Sequence, residues 1–143
     1  MTTMLIVADS NVIISAAVKG HPFHARATPA VGSAVRSGEL LMPQHVLIES
    51  FSVLTRGPEP LRHSPEAAYQ ALHASYSACR IIGSSLGDVW QFMRERDVQT
   101  AGGAVYDALI AVAAIQAGAQ QLLTFNPTHF QPFAGRIEIV VPA

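Results

Sequence analysis

The sequence is poor in charged residues. Only 13% of its 143 residues are charged, against roughly 25% in typical soluble domains, while half are apolar. Because so much apolar surface is available to form a core, intrinsic disorder is excluded. The net charge of -1 also excludes the strongly basic surface of many nucleic-acid-binding domains. A chain of this length is expected to form a single domain over residues 1–143.

The chain also lacks the usual marks of export, membrane insertion and zinc binding. Cys79 is the single cysteine, so no internal disulfide can form. The first apolar run ends at Asp9 without a basic start, and the longest nearly uncharged stretch, residues 108–121, is too short for a membrane span. The six histidines do not have the spacing of a zinc motif. We therefore expect a cytoplasmic protein that has no membrane contact and binds no zinc.

Short apolar runs alternate with longer helical patterns along the chain. Predicted strands cover residues 5–8, 40–42, 80–82, 122–124 and 137–141. Predicted helices cover residues 11–18, 25–36, 44–54, 67–77 and 104–117, and another runs from Ser84 or Ser85 through Met93. This alternation predicts an α/β fold with a mostly parallel central sheet, in which ligands lie beyond the carboxyl ends of the strands.

Several residues are predicted to start or stop these helices. Ser10 or Asn11 is expected to open the first helix, and Ser64 to cap the fourth ahead of Pro65. Pro29 is expected to limit where the second helix starts. The last helix is expected to begin after the Gly102–Gly103 break and to end at Gly118.

Three of the ten acidic residues stand in apolar surroundings. Asp9 directly follows the first predicted strand, where its side chain would point at the ligand crevice. Glu49 is the only charge in residues 43–55, and Asp107 is the only charge in residues 98–135. A carboxylate in such surroundings needs a cation or donated hydrogen bonds. Three of them together would supply the hard oxygen ligands that Mg²⁺ or Mn²⁺ prefers.

Two of these acids also have a structural interpretation. Asp9 could simply cap the following helix, because aspartate is favoured at helix starts. Glu49 could be a glutamate at the edge of an apolar helix face that extends its carboxylate into water. Both interpretations stay open at the level of sequence.

Four sequence blocks together resemble the PIN-domain nucleases, and in particular the VapC-like toxins of bacterial toxin–antitoxin pairs. The blocks are LIVADSNVIISA with Asp9, PQHVLIESFSVLTR with Glu49, VYDALIAVAA with Asp107, and LLTFNPTHF with Thr124 and Asn126. They follow the family's order over nearly the whole chain. The resemblance implies a three-layer α/β/α sandwich whose acids gather at one end of a parallel sheet to hold Mg²⁺ or Mn²⁺.

The same resemblance implies an activity and partners. It implies an endoribonuclease that hydrolyses phosphodiester bonds in single-stranded RNA, with Asp9, Glu49 and Asp107 as catalytic residues and metal ligands. It also implies a homodimer and a cognate antitoxin that covers the acidic groove. The alternative is a PIN-like protein with little or no catalysis that acts as a binding partner, although the three retained acids argue against it.

Four further residues are predicted to support this site. Asn126 stands where the family often has a fourth acid, so the site has one negative charge fewer and a second tightly held metal is less favoured. Thr124 resembles the family's hydroxyl residue, or is an ordinary threonine at a strand end. Asn11 would hold a carboxylate or loop in place, or cap a helix. Arg56, which follows the predicted helix that carries Glu49, is the best candidate for a phosphate contact, although codon usage would also explain the excess of arginine over lysine.

Overall fold

A five-stranded parallel sheet forms the centre of the molecule. The computed structural model describes residues 4–59, 62–86, 89–94 and 104–143. The strands are β1 (Ile6–Ala8), β2 (Leu40–Pro43), β3 (Arg80–Ile82), β4 (Gln121–Leu123) and β5 (Glu138–Val140). Their order is β3-β2-β1-β4-β5, and each of the four pairings is parallel. The predicted α/β fold is confirmed.

Helices cover both faces of this sheet. They are α1 (Ser10–Ala17), α2 (His24–Arg36), α3 (Gln44–Arg56), α4 (Pro65–Tyr76), α5 (Val89–Arg94), α6 (Ala104–Gln116) and a 3₁₀ helix (Pro127–Phe133). Parallel crossovers are right-handed, so the connections from β1 to β2 and β3 place α1–α4 on one face. The return to β4 and β5 places α6 and the 3₁₀ helix on the other, where they pack together. The implied three-layer sandwich is therefore confirmed.

The core lies where the central strands meet both helical layers. Val7, Leu41, Met42 and Leu122 are almost completely buried. Strands covered on both faces consist of nearly continuous apolar residues, which is why no alternation of polar side chains marks them in the sequence. In the described residues, no helix is both long enough and apolar enough to cross a bilayer.

The strand order creates a crevice beside Asp9. From β1 the chain moves to β2 on one side and later returns to β4 on the other, so the order of strands reverses between β1 and β4. In open α/β sheets the ligand crevice lies at such a reversal, beyond the carboxyl ends of the strands. Asp9 directly follows β1 and Thr124 directly follows β4, and the backbone N–H of Asp9 bonds to the Leu123 carbonyl at 2.8 Å.

Two predictions about helix starts are wrong. The cap of α1 is Asp9 rather than Ser10 or Asn11, because the Asp9 carboxylate accepts a hydrogen bond from the Ser10 N–H and Ser10 is already helical. Pro29 does not limit the start of α2, which begins at His24 and contains the proline. The proline leaves the carbonyl of Ala25, four residues earlier, without its helical partner, and Ala25 lies on the exposed side of α2.

The segment after β3 also differs from its prediction. Ser84 and Ser85 do not open a helix, and the described helical residues begin at Val89. The side chain of Gln116 accepts from the Ser85 N–H at 2.9 Å and donates to the Ser85 carbonyl at 2.7 Å, which holds this backbone in an extended path against the end of α6. The Gly102–Gly103 break lies outside the described residues.

The other predicted capping signals are confirmed. The Ser64 hydroxyl accepts a hydrogen bond from the Ala67 N–H at 3.1 Å, with Pro65 in the first turn of α4. Gly118 follows α6 with a φ of 79°, in the left-handed region that glycine adopts without strain. The 3₁₀ helix was not predicted. It places Phe130 and Phe133 in the core.

Candidate functional site

Asp9 is a buried carboxylate at the sheet reversal. Only 5% of the residue is exposed. Its Oδ1 accepts from the Ser10 N–H at 2.7 Å, and its Oδ2 accepts from the Thr124 hydroxyl at 2.9 Å. The Thr124 hydroxyl in turn accepts from the Asn126 N–H at 3.0 Å. Asp9 therefore caps α1 and also presents a carboxylate of fixed orientation to the crevice, so the two interpretations of this residue are compatible.

The surroundings of Asp9 favour its neutral form. Burial is the main cause that raises its pKa to about 6, from an ordinary value of 3.8. The hydrogen bonds from Thr124 and Ser10 lower the pKa and so oppose this effect, while repulsion from Asp107 and Glu49 raises it further. The three acids named by the sequence thus lie within electrostatic reach of one another.

Asp107 reaches the same region from the first turn of α6. The positive end of the helix dipole favours an anion there. Burial raises the pKa of Asp107, and the nearby His129 counteracts this increase. The Nδ1 atom of His129, in the 3₁₀ helix, lies 3.3 Å from the Oδ2 of Asp107. This contact connects α6 to the segment that follows β4.

Glu49 lies in the second turn of α3 and is half-buried. The Nε2 atom of His45, one turn earlier, lies 3.5 Å from the Oε2 of Glu49. The His45 ring also stacks in parallel on Tyr106, with ring centroids 5.0 Å apart and planes 6° apart. Since Tyr106 precedes Asp107, this stack joins the two helices that carry Glu49 and Asp107.

Asn11 and Asn126 have different surroundings. The Asn11 Oδ1 accepts from the Phe125 N–H at 3.3 Å, so Asn11 holds the loop after β4 against α1. The helix-cap interpretation of Asn11 is wrong, because the residue lies inside α1. Asn126 is exposed at the start of the 3₁₀ helix, where its amide is accessible to a ligand.

Arg56 is not near the acids in this structure. It is exposed in the last turn of α3, about two turns (roughly 10 Å) beyond Glu49 and further from the strand ends. Any phosphate that it contacts would belong to a distant part of an extended ligand. Its role as a phosphate contact stays a prediction.

His45, His129 and Tyr106 are site residues that the sequence reasoning missed. The spacing of His45 and Glu49, four residues apart on a predicted helix, was a visible signal because such pairs are neighbours on one helix face. The contact between His129 and Asp107 joins distant parts of the chain, and only the fold brings the two residues together.

The chemistry of these donors fits a hard divalent cation. Asp9, Glu49 and Asp107 offer carboxylate oxygens, and each oxygen that accepts one hydrogen bond keeps a further lone pair. Within the residues that the structure describes, however, no three acidic, histidine or cysteine side chains come close enough together to form a ready-made metal site. The three acids therefore lie at one end of the sheet, but their carboxylates do not surround one common position.

Comparisons of sequence give one consistent family. A family model described as the PIN domain matches residues 6–133. Ribonuclease VapC40 of Mycobacterium tuberculosis is 33% identical over 120 residues, which cover 82% of this chain and 84% of the relative. Ribonuclease VapC27 of the same organism is 33% identical over 111 residues, which cover 78% of this chain and 77% of the relative.

Solved structures have the same fold. The crystal structure of Mycobacterium tuberculosis VapC20, described as a toxin that cleaves the sarcin-ricin loop, superposes with a TM-score of 0.67 at 20% identity, covering 93% of this chain and 97% of that chain. The Rickettsia felis VapBC2 structure, bound to a DNA fragment from the promoter of that pair, superposes with a TM-score of 0.66 at 18% identity, covering 98% and 100%.

Proposed function

The chain belongs to the PIN-domain family, and from that membership we propose that it is an endoribonuclease, the toxin of a toxin–antitoxin pair. Relatives that match most of the chain are named ribonucleases, and proteins of the same fold include a toxin that cleaves the sarcin-ricin loop. The observation that carries the proposal is that Asp9, Glu49 and Asp107 lie within electrostatic reach of one another near the ends of β1 and β4. These residue types, at this place in this fold, suit phosphodiester hydrolysis.

Asp9, Glu49 and Asp107 are the proposed catalytic residues and would hold Mg²⁺ or Mn²⁺. In such a site a divalent cation offsets charge on the phosphate and makes water a nucleophile near neutral pH. Thr124 and the Ser10 N–H orient the Asp9 carboxylate. His45 and His129 lie beside Glu49 and Asp107 and offset part of the negative charge when protonated.

Single-stranded RNA is the proposed substrate. A net charge of -1 does not favour the binding of a duplex by charge alone. Unpaired bases can reach a crevice and be read by side chains, which a stacked helix does not allow. Asn126 gives the site a neutral amide beside the acids, which favours one tightly held cation over two.

A homodimer and a cognate antitoxin are the proposed partners. An apolar groove of about 430 Å³ lies between α3 and α4 beside β3, and we call it the α3–α4 groove. Its lining residues are Leu47, Ile48, Phe51, Tyr69, Leu72, His73, Tyr76, Ser77 and Ile81. Exposed apolar surface of this kind marks protein contacts, and we assign the groove to the second copy.

The single cysteine suits a reducing, cytoplasmic location.

RNA cleavage by purified protein tests the catalytic assignment. Total RNA incubated with the toxin and Mg²⁺ or Mn²⁺ should be cut, and Asp107→Asn should slow cutting by about 100-fold or more because a nearly isosteric amide removes one ligand charge. Glu66→Gln is the matched control, since Glu66 is exposed on α4 and bonds to Gln70. Equal cutting by Asp107→Asn and the parent would contradict the assignment. Absence of cutting by the parent itself would favour the non-catalytic alternative.

A further inference from the structure

A second cavity lies beside His45, at the start of α3. It has a volume of about 310 Å³ and lies between α3 and α6, beyond the carboxyl ends of β2 and β3. Gln44 and His45 line it from the start of α3, and Gly83 and Ser84 line it from the segment after β3. Ile48 and Leu109 are among its apolar walls. We call it the α3–α6 cavity.

His45 connects this cavity to the acidic site. The residue lines the cavity, its Nε2 lies 3.5 Å from the Oε2 of Glu49, and its ring stacks on Tyr106 next to Asp107. A nucleotide with its phosphate at the three acids would therefore have this cavity within the reach of its base. Tyr106 is 54% exposed although His45 covers part of its ring, so it offers further aromatic surface at the rim.

The lining of the cavity suits a nucleobase. A base has flat apolar faces and a hydrogen-bonding edge, and the cavity combines aliphatic walls with an amide, a hydroxyl and an imidazole. Among the described residues, the side chains of Gln44 and Ser84 have no hydrogen-bond partner. The Nε2 of His45 is buried, and its approach to Glu49 does not have hydrogen-bond geometry. Gln44 is exposed and Ser84 is partly buried, so their amide and hydroxyl groups are accessible to the edge of a base in the cavity.

We propose that the α3–α6 cavity binds the nucleobase next to the scissile phosphate, with Gln44 and Ser84 as specificity-determining residues. This inference rests on the proposed ribonuclease function, because it assigns the substrate's base to a place beside the same acids. The α3–α4 groove does not offer this chemistry, since its lining is mainly apolar and aromatic.

Cut-site sequencing on a random single-stranded RNA pool tests the inference. The parent should prefer one base at a position next to the cut, and Gln44→Ala should reduce this preference by about 10-fold while the pool is still cut. Gly83→Val should do the same by filling the cavity. A Cβ at Gly83 would meet only the Gln44 Oε1, at an ordinary 3.7 Å, so we expect the fold to tolerate the change. An unchanged base preference in both variants would overturn the inference.

Gly20→Val is the matched control for Gly83→Val. A Cβ at Gly20 would meet no atom within 4 Å, and Gly20 follows α1, at the end of that helix away from the acids. This variant should keep the parent's base preference. A loss of preference equal to that of Gly83→Val would show that the effect does not come from the cavity, and would also overturn the inference.

A binding measurement separates this inference from the proposed catalytic function. Asp107→Asn protein, with and without Gly83→Val, is titrated with a labelled RNA oligonucleotide that carries an abasic site at one position after another. In the Asp107→Asn protein, one abasic position should weaken RNA binding by about 10-fold. In the protein that also carries Gly83→Val, the same position should have little effect. This result would support the cavity even if the parent cut no RNA. Equal effects in both proteins, or no effect in either, would overturn the inference whether or not RNA is cut.

Discussion

At the scale of single residues, Asp9 must be charged to bind a cation although its place in the fold favours the neutral form. Burial raises its pKa to about 6, and two other acids repel its charge. Thr124 and the Ser10 N–H stabilise the ionised form without fully offsetting the burial. Such a residue reduces the stability of the cation-free protein in return for a functional site, as is common at active sites.

The raised pKa of Asp9 predicts a pH-dependent stability in the absence of divalent cations. The folded protein holds this proton more tightly than the unfolded chain, so the free energy of unfolding should fall as the pH rises from about 4 to about 6, by up to about 3 kcal/mol. Asp9→Asn should remove this part of the dependence and be more stable than the parent at pH 7. Urea unfolding in chelator at several pH values measures both effects.

Glu66→Gln serves as the control for that series, because its exposed carboxyl lies on a different helix from the three acids. It should follow the parent at every pH. If Asp9→Asn showed the same loss of stability from pH 4 to pH 6 as the parent, the assigned pKa of Asp9 would be wrong.

The acids could be predicted from sequence because their surroundings hold so few other charges. Isolation in apolar runs singled out Glu49 and Asp107, and a position directly after a buried strand singled out Asp9. Their histidine neighbours could not be found in this way. His129 reaches Asp107 only through the packing of the 3₁₀ helix against α6, which no local pattern encodes.

At the scale of elements, the ends of strands and helices position the site. Asp9 and Thr124 follow two adjacent parallel strands, while Glu49 and Asp107 come from early turns of α3 and α6. The strands β1 and β2 were predictable because each is a short apolar run with a clear stop. The 3₁₀ helix was not, because Pro127 and Pro132 suggest a turn-rich loop and its order comes from burying Phe130 and Phe133.

The end of α6 gives a prediction at this scale. Gly118 has a φ of 79°, and the Ala119 N–H bonds to the Ala114 carbonyl at 2.9 Å as the chain turns into β4. Gly118→Ala should lower the free energy of unfolding by about 1 kcal/mol, because a side chain is strained in this conformation. Gly135→Ala is the control, since its φ is not in that region and a Cβ there has open space. Equal urea midpoints for both variants would contradict this interpretation of the helix end.

At the scale of the whole molecule, low charge and high apolar content have separate consequences. Because so few groups are ionised, a cation bound by the three acids would provide the positive potential that a basic surface supplies in other nucleic-acid enzymes. Some large apolar side chains are not buried in the core, and several of these exposed side chains line the α3–α4 groove. The location of this surface depends on how α3 and α4 pack.

The groove leads to a prediction about assembly. Phe51→Asp should convert the proposed homodimer into a monomer at micromolar concentration, because a charge would be buried in an apolar contact. Val141→Asp, at an exposed apolar residue outside the groove, should leave the dimer intact. Sedimentation velocity distinguishes these outcomes. A dimer that survives Phe51→Asp would place the contact elsewhere.

The central claim, that Asp9, Glu49 and Asp107 together hold a divalent cation, is tested most directly by Mn²⁺ binding to the RNA-free protein. Calorimetric titration of the parent and of Glu66→Gln should give the same affinity. Asp9→Asn and Asp107→Asn should each weaken binding by about 10-fold or more, and binding to the parent should weaken as the pH falls below about 6. Unchanged Mn²⁺ affinity in both site variants would contradict the account.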